Sequence, residues 1–280
     1  MIVRIVTDST CDLPAETIAR YGIYVLPLYI NVGQQGYLDG IDITREEFYH
    51  KLPVFTEYPT TAVPSPSKFR AIYDTLAEEN ASQILSIHIS ISLSAIMDMA
   101  RSAAQETTSV PVTVLDSQQL SLGTGFLVEK AAELAAQGCS IEEILPELNS
   151  QIRRTRVFAA LDTLEFLKRS GRMNGFMANM GSLLQVKPIL TMYTGTPGSE
   201  KVRTSQRATK RLLEMLSEAG PLERTAIVHA NAPERVAELR LKAAELLPAG
   251  DVMAVDITPV IGAHIGPGTY GFAVIGSEEK

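Results

Sequence analysis

The sequence has few aromatic residues and a shortage of positive charge. Aromatic side chains make up 6% of the 280 residues, and tryptophan is absent. Asp and Glu outnumber Lys and Arg by 32 to 25, which leaves a formal net charge of −7. A nucleic-acid-binding protein needs a basic face for phosphates and, for single strands, aromatic platforms for bases. The composition therefore argues against nucleic acid as the main partner.

Cysteines and long apolar runs are also scarce. The two cysteines, Cys11 and Cys139, form neither a Cys-x-x-Cys pair nor a Cys/His spacing suited to zinc. No stretch approaches the roughly 20 apolar residues that span a bilayer, and residues 1–8 are typical of a strand rather than a signal peptide. We expect a soluble, cytoplasmic protein with no metal and no integral membrane segment.

The sequence lacks the short motifs of two large enzyme classes. It contains no phosphate-binding Gly-Lys-Ser/Thr loop and no Gly-x-Ser-x-Gly nucleophile elbow. The stretch Gly123-Thr124-Gly125 lacks the third glycine of a dinucleotide fingerprint. We therefore expect no cofactor.

Apolar residues, at 45% of the chain, are abundant and follow two different patterns. In the first half, predicted strands at 3–7, 24–28, 84–88 and 112–115 alternate with predicted helices at 15–21, 46–52, 67–78, 94–106 and 123–137. After a helix that ends near residue 154, strands outnumber helices. The predicted strands there are 157–160, 186–193, 201–204, 225–229, 252–257 and 271–275, and the predicted helices are 164–169, 206–218 and 233–246.

These patterns predict an α/β protein of two domains. Strand–helix alternation favours a mainly parallel sheet with helices on both faces, and we assign this three-layer domain to residues 1–156. The excess of strands favours a two-layer α/β domain with a mixed sheet, at residues 157–280. Ligands of parallel sheets bind at the carboxyl ends of the strands.

Two hydroxyl-rich segments precede predicted helices. Thr60 and Thr61 precede the stiff sequence Val63-Pro64-Ser65-Pro66, which is equally consistent with a plain loop. Ser94 follows a strand and lies where a helix begins, so it is either an ordinary N-cap or part of an anion site.

Two basic segments and one histidine complete the candidates. Lys168, Arg169 and Arg172 surround a glycine turn, either as a solvated helix end or as a docking point for a phosphate, and Arg203 lies on a later strand. The segment 259–268 holds His264 among three glycines and two prolines. We predict that this segment is a fixed loop with exposed backbone N–H groups.

Together these segments resemble the DegV family of bacterial fatty-acid-binding proteins over nearly the whole chain. Each motif is weak alone, but their order and spacing are specific. The motifs are Asp8-Ser9-Thr10-Cys11-Asp12-Leu13-Pro14, Tyr37-x-Asp39-Gly40-x-Asp42-Ile43, Thr61-x-x-Pro64-Ser65-Pro66, Leu93-Ser94, Asp116-Ser117, Thr163-Leu164-Glu165-x-Leu167, Gly171-Arg172, Lys187-Pro188-Ile189-Leu190, Val202-Arg203-Thr204 and Ile261-Gly262-x-His264-x-Gly266-Pro267-Gly268.

The resemblance implies a long-chain fatty acid buried between two α/β domains, with its carboxylate held by Thr61, Ser94 and His264. It implies that the protein is a non-catalytic subunit that presents the acid to a separate fatty acid kinase, which forms an acyl-phosphate. The residues expected in loops beside the ligand are Ala62, Ala95, Ile96, Gly262 and Ala263. The arginines expected at the partner or phosphate are Arg172, Arg203 and Arg169.

The chain departs from the family pattern near the expected head group. It has Ala95 and Ile96 where Gly-Thr is common, and Ala62 and Val63 where Ser-Gln is usual. These changes predict a drier pocket and a ligand of different shape.

Two alternatives remain open from the residues. Ser94 and His264, with Asp8 or Asp116, are the residue types of a hydrolytic triad, which would make the protein a lipid ester hydrolase. A lipid-responsive regulatory protein would instead use the basic segment as its contact surface.

Overall fold

The first half of the chain builds a parallel four-stranded sheet with helices on both faces. The structure is a computed structural model that describes residues 2–173, 176, 186–248, 250 and 252–278. The strands run side by side in the order β2 (Tyr24–Leu26), β1 (Val3–Asp8), β6 (Gln83–His88) and β7 (Val112–Asp116). The helices α3 (Pro66–Glu78) and α4 (Ile96–Glu106) cover one face, and α1 (Ala15–Tyr21), α5 (Leu122–Ala136) and α6 (Ile141–Arg154) lie on the other.

The second half builds a six-stranded mixed sheet. Its neighbours are antiparallel except for the last pair, which is parallel. The helices α8 (Ser205–Glu218) and α9 (Pro233–Lys242) pack on one face. The strands run in the order β10 (Thr196–Val202), β9 (Lys187–Tyr193), β8 (Thr155–Ala160), β13 (Tyr270–Gly276), β11 (Leu222–His229) and β12 (Ala254–Asp256).

This architecture confirms the predicted fold class. Helix α5 lies between the two sheets and contributes nine buried residues from all around its surface. A helix that is apolar all round needs burial on more than one side, and the second sheet supplies it. The division of domains at residue 156 remains a prediction; β8, which belongs to the second sheet, begins at Thr155.

A third sheet was not predicted from the sequence. It is antiparallel and consists of β4 (Gln35–Leu38), β3 (Tyr29–Val32) and β5 (Thr60–Ala62), in that order. Helix α2 (Arg45–Lys51) lies between β4 and β5 in the chain. It is capped by Thr44, whose hydroxyl accepts the Glu47 N–H at 3.2 Å. Thr61 lies on β5 of this sheet, next to the segment that contains His264.

Candidate functional site

An apolar cavity of about 420 Å³ lies among the third sheet, the start of α4 and the six-stranded sheet. Its volume is within the range of small-molecule sites, roughly 300–1,000 Å³. Aliphatic side chains from both halves of the chain supply most of its wall. They include Leu28, Ile89, Leu93, Leu120, Val157, Leu161, Leu190, Met192, Val228, Ile257 and Ile261.

Several hydroxyl groups also line the wall, but their protons are directed away from the cavity space. Thr10 bonds the carboxylate of Asp8, Ser121 donates to Asp12 at 2.6 Å, and Thr269 donates to a backbone carbonyl at 3.0 Å. Satisfied hydroxyl groups offer little to a ligand. The wall is therefore suited to a hydrocarbon chain along most of its length.

His264 and Thr61 meet at a polar part of this cavity. The His264 Nε2 and Thr61 Oγ1 atoms are 2.9 Å apart, and both side chains line the cavity together with Ser94. The Ser94 hydroxyl also accepts the Ile96 N–H at 3.3 Å at the start of α4, where Ala95 rather than Ser94 is the N-cap residue. All three residues that the resemblance assigns to a carboxylate thus line one cavity, and two of them are in direct contact.

The predicted loop around His264 is wrong, because residues 259–265 form a helix. Helix α10 (Pro259–Ile265) starts with proline at its first turn and ends at Gly266, whose φ is 78°. Proline suits a first turn, and glycine adopts a positive φ without steric cost. Glycine is needed at position 262 inside this helix because a methyl group there would lie 2.8 Å from Cζ of Tyr49.

The electrostatic environment keeps His264 neutral. Burial is the larger cause and the nearby positive charge of Arg172 the smaller one, and together they lower the pKa of His264 to about 4. The Nδ1 atom is buried and has no hydrogen-bond partner among the described residues. Arg172 itself is exposed, lines the cavity and donates to the Ser170 carbonyl at 3.2 Å.

The remaining predicted residues fall into two groups. Ala62 and Ala95 line the cavity, whereas Ile96, Gly262 and Ala263 are buried helix residues that are not among its described lining residues. The prediction of loops is therefore wrong at these three positions, and also at Ala62, which lies on strand β5.

The other two predicted arginines lie on the surface. Arg169 pairs with Glu165 and stacks 5.2 Å from the Tyr58 ring, and Arg203 is exposed just after β10. Neither is among the described lining residues of the cavity.

The geometry does not assemble the hydrolytic triad. Asp8 bonds the Nδ1 atom of the buried His88 at 2.9 Å, and Asp116 accepts the Gln118 N–H at 2.8 Å. Among the described residues, His264 bonds Thr61 rather than Ser94, and its other nitrogen has no partner. A general base needs both a nucleophile and an orienting group, so the hydrolase alternative has no geometric support.

Neither a metal site nor a membrane span is found in the described part of the chain. The described His, Cys, Asp and Glu residues contain no cluster that would hold a metal ion. No described helix is both long and apolar enough to cross a membrane.

Sequence reasoning missed the deep wall of the cavity. Val157 and Ala159 on β8 and Met192 on β9 line it, and Val157 is paired with Met192 in register. The alternation of 157, 159 and 161 is visible in the sequence, since successive strand residues face opposite sides. Which side faces a cavity depends on how the two sheets meet, and the alternation does not show that.

The chain belongs to the DegV family. A sequence model of the family described as "Uncharacterised protein, DegV family" matches residues 2–277. A DegV domain-containing protein of Streptomyces coelicolor, SCO2569, is 35% identical, over 97% of this chain and 98% of that protein. The resemblance drawn from the motifs is thus confirmed.

Two solved structures share this fold closely. A DegV family protein of Thermus thermophilus, described by its fatty acid binding, matches with a TM-score of 0.90 at 38% identity, over 99% of this chain and all of that one. DegV of Bacillus subtilis, a fatty acid binding protein, matches with a TM-score of 0.90 at 31% identity, over the same shares.

Proposed function

We propose that this protein binds a long-chain fatty acid in the apolar cavity, with the carboxylate at Thr61, Ser94 and His264. The observation that carries the proposal is an apolar cavity whose wall includes all three polar side chains, with Thr61 and His264 hydrogen-bonded to each other. The fatty-acid binding of the two structural relatives supports it.

The apolar wall supplies the binding free energy for the acyl chain. Burial of each CH₂ group contributes about 0.8 kcal/mol. An acyl chain of about 15 such groups gains on the order of 10 kcal/mol before the costs of association are subtracted. This gain favours tight binding and retention of the ligand during purification.

The polar end must replace the water that the carboxylate loses. A buried carboxylate is costly unless it is hydrogen-bonded. Thr61 and Ser94 offer hydroxyl groups, and the His264 Nδ1 atom is the buried group that needs a partner. Because His264 is neutral before the ligand arrives, Arg172 supplies the positive charge at this end. An arriving carboxylate favours protonation of His264 and raises its pKa.

The departures from the family pattern bear on this polar end. Ala62, Val63 and Ala95 line the cavity, so the absence of polar groups at these positions makes its surface drier. Ile96 lies in the core below and leaves the cavity surface unchanged. The three proposed carboxylate ligands do not depend on these positions.

We further propose that the bound acid is presented to a separate kinase, so that this chain itself is not the catalyst. Arg172 is both exposed and in the cavity wall, beside the proposed carboxylate, which suits an arginine that meets a transferred phosphate. A lipid-responsive regulatory role would use the same surface with a different partner. Capture of a kinase-like protein by the wild type, and its loss in Arg172→Glu, supports presentation; capture of another partner supports regulation.

Single substitutions at the polar end test the ligand assignment. In delipidated protein, Thr61→Val, Ser94→Ala and His264→Gln should each lower palmitate affinity about tenfold or more, because a hydrogen bond to a charged group contributes about 1.5–3 kcal/mol. Displacement of a fluorescent fatty acid measures the affinity. Ser92→Ala is the matched control, since Ser92 is exposed in the same loop but is not a described lining residue. Wild-type affinity in all three variants would contradict the assignment.

A further inference from the structure

The chain enters α10 through residues 256–258, and side chains from the first half hold each of them. Arg45 donates to the Asp256 carbonyl at 2.6 Å, and Tyr49 donates to the Ile257 carbonyl at 2.9 Å. The Thr258 N–H donates to Asp12 at 2.9 Å, and its hydroxyl donates to Asp39. The start of the helix that carries His264 is therefore fixed from outside the six-stranded sheet.

Asp12 is the centre of this arrangement. Its carboxylate is buried, with 1% of the residue exposed, and it also accepts the Ser121 hydroxyl at 2.6 Å and pairs with Arg45 at 3.1 Å. Burial raises its pKa to about 6, against the opposing influence of Arg45, so the carboxylate is ionised at neutral pH and accepts all three donors.

Backbone conformation supports a specific role for this contact. Asp12 has a φ of 56° and Ser121 has a φ of 51°, so both ends of one hydrogen bond lie in the left-handed region. Such conformations cost free energy in residues other than glycine and persist where surrounding bonds fix them.

A small rotation at the entry of α10 would be enough to separate His264 from Thr61. His264 is five residues beyond Pro259, a distance of about 8 Å along a helix. A tilt of about 10° at the entry would move His264 by more than 1 Å and break a hydrogen bond of ordinary length. The bond from Nε2 to Thr61 is 2.9 Å long.

We propose that Asp12 is a positioning residue for the carboxylate site, which it shapes by holding residues 256–258 and hence His264. This inference rests on the fatty-acid function proposed above. The Asp8–Pro14 motif lies outside the proposed carboxylate contacts. Through Asp12, it would nevertheless contribute to ligand binding. Through Ser121 and Ile257, both of which line the cavity, the same contacts reach the cavity wall.

The test compares Asp12→Ala with Asp12→Asn in delipidated full-length protein. Palmitate labelled with ¹³C at its carboxyl carbon reports both affinity and head-group hydrogen bonding through its resonance. We expect Asp12→Ala to lower affinity about tenfold and to shift the carboxyl resonance in the direction that His264→Gln shifts it. Asp12→Asn should keep most of the wild-type affinity and most of the wild-type carboxyl resonance, because asparagine keeps an acceptor for the Thr258 N–H and tolerates positive φ.

Two further variants separate positioning from loss of stability. Leu216→Ala removes a buried side chain on the far face of the six-stranded sheet and should lower the melting temperature without moving the resonance. Thr258→Val removes only the donor to Asp39 and should shift the resonance even if Asp12→Ala does not fold.

The outcomes distinguish this inference from the proposed function. If the wild type binds no palmitate, both are wrong. A second outcome is that the wild type binds palmitate and His264→Gln shifts the carboxyl resonance, but Asp12→Ala and Thr258→Val keep the wild-type affinity and resonance. In that case the positioning role is wrong and the proposed function stands. A loss of affinity in Asp12→Ala that Leu216→Ala reproduces would also overturn the positioning role.

Discussion

At the scale of single residues, the charge state of His264 is the property that the sequence predicts least well. The sequence provides a histidine, whose ordinary pKa of 6.5 allows either charge state near neutral pH. Its surroundings decide the matter, because burial and Arg172 together lower the pKa to about 4. Arg172 is 92 positions away in the chain, so the spacing of the two residues carries no sign of their interaction.

The lowered pKa of His264 predicts a pH dependence of stability. The unfolded chain takes up a proton on His264 below pH 6.5, while the folded protein resists protonation down to about pH 4. Unfolding therefore binds a proton in this window, and stability falls as the pH falls. Relative to His264→Gln, the wild type should lose about 2 kcal/mol of unfolding free energy between pH 7 and about 5.

Denaturant unfolding of the delipidated protein at the two pH values measures this loss, because a bound carboxylate would itself raise the pKa of His264. His50→Gln, which removes an exposed histidine on α2, is the control and should respond to pH as the wild type does. An equal pH response in the wild type and in His264→Gln would mean that His264 is not held neutral in the folded protein.

At the scale of elements, α10 is the place where local sequence rules were misleading. Glycine disfavours a helix interior by about 1 kcal/mol, and two prolines and three glycines within ten residues are typical of a loop. The close approach of Tyr49 outweighs this preference, because no larger residue fits at Gly262. Tertiary packing of this kind has no local signal in the chain.

Gly262→Ala should destabilise the protein by about 1–3 kcal/mol, because the added methyl group overlaps the Tyr49 ring. It should also weaken palmitate binding, since the overlap displaces the helix that carries His264. Tyr49→Phe removes the nearest overlapping atom but also the hydrogen bond to the Ile257 carbonyl, so the double variant should lose less stability than the sum of the two single losses. Additive losses in this double-mutant cycle, measured by thermal unfolding, would contradict the proposed contact.

Other elements show which patterns predict structure well. Strand β1 and helix α1 were predicted within one residue of their ends, because continuous apolar runs and a glycine stop are strong local signals. Strand β10 begins five residues earlier than predicted, because Pro197 and Gly198 are typical of a turn. Pro197 is tolerated because β10 is at the edge of its sheet. The third sheet was missed because its strands have only three or four residues.

At the scale of the whole molecule, the cavity is assembled from segments that are distant in the chain. Thr61 and His264 are 203 residues apart, yet their side chains bond directly. No periodicity in the sequence predicts this contact. The site residues were therefore assigned from the resemblance to a family, whereas the fold was predicted from the apolar patterns. The cavity wall required the relative placement of two sheets, which neither source supplied.

The wall predicts how the protein selects chain length. Leu161 follows β8 and leads into α7 (Glu165–Arg169), which packs on α10, whereas Val157 lies four residues, or about 13 Å, further back along the chain. Val157→Phe should fill the deep end and shift the preference from palmitate towards laurate. Competition between the two acids measures the shift.

Ile189→Phe is the matched control for this substitution. Ile189 is buried against the opposite face of the same sheet and is not a described lining residue of the cavity, so this variant should keep the wild-type preference. An unchanged preference in Val157→Phe would mean that the acyl chain does not reach Val157.

The central claim is that the cavity holds a fatty acid, and mass spectrometry of the purified protein tests it most directly. Native spectra followed by organic extraction should reveal about one long-chain fatty acid per protein, because burial of the acyl chain favours retention. A protein that is empty as purified, and that takes up neither added palmitate nor added oleate, would contradict the claim and limit the family relationship to the fold.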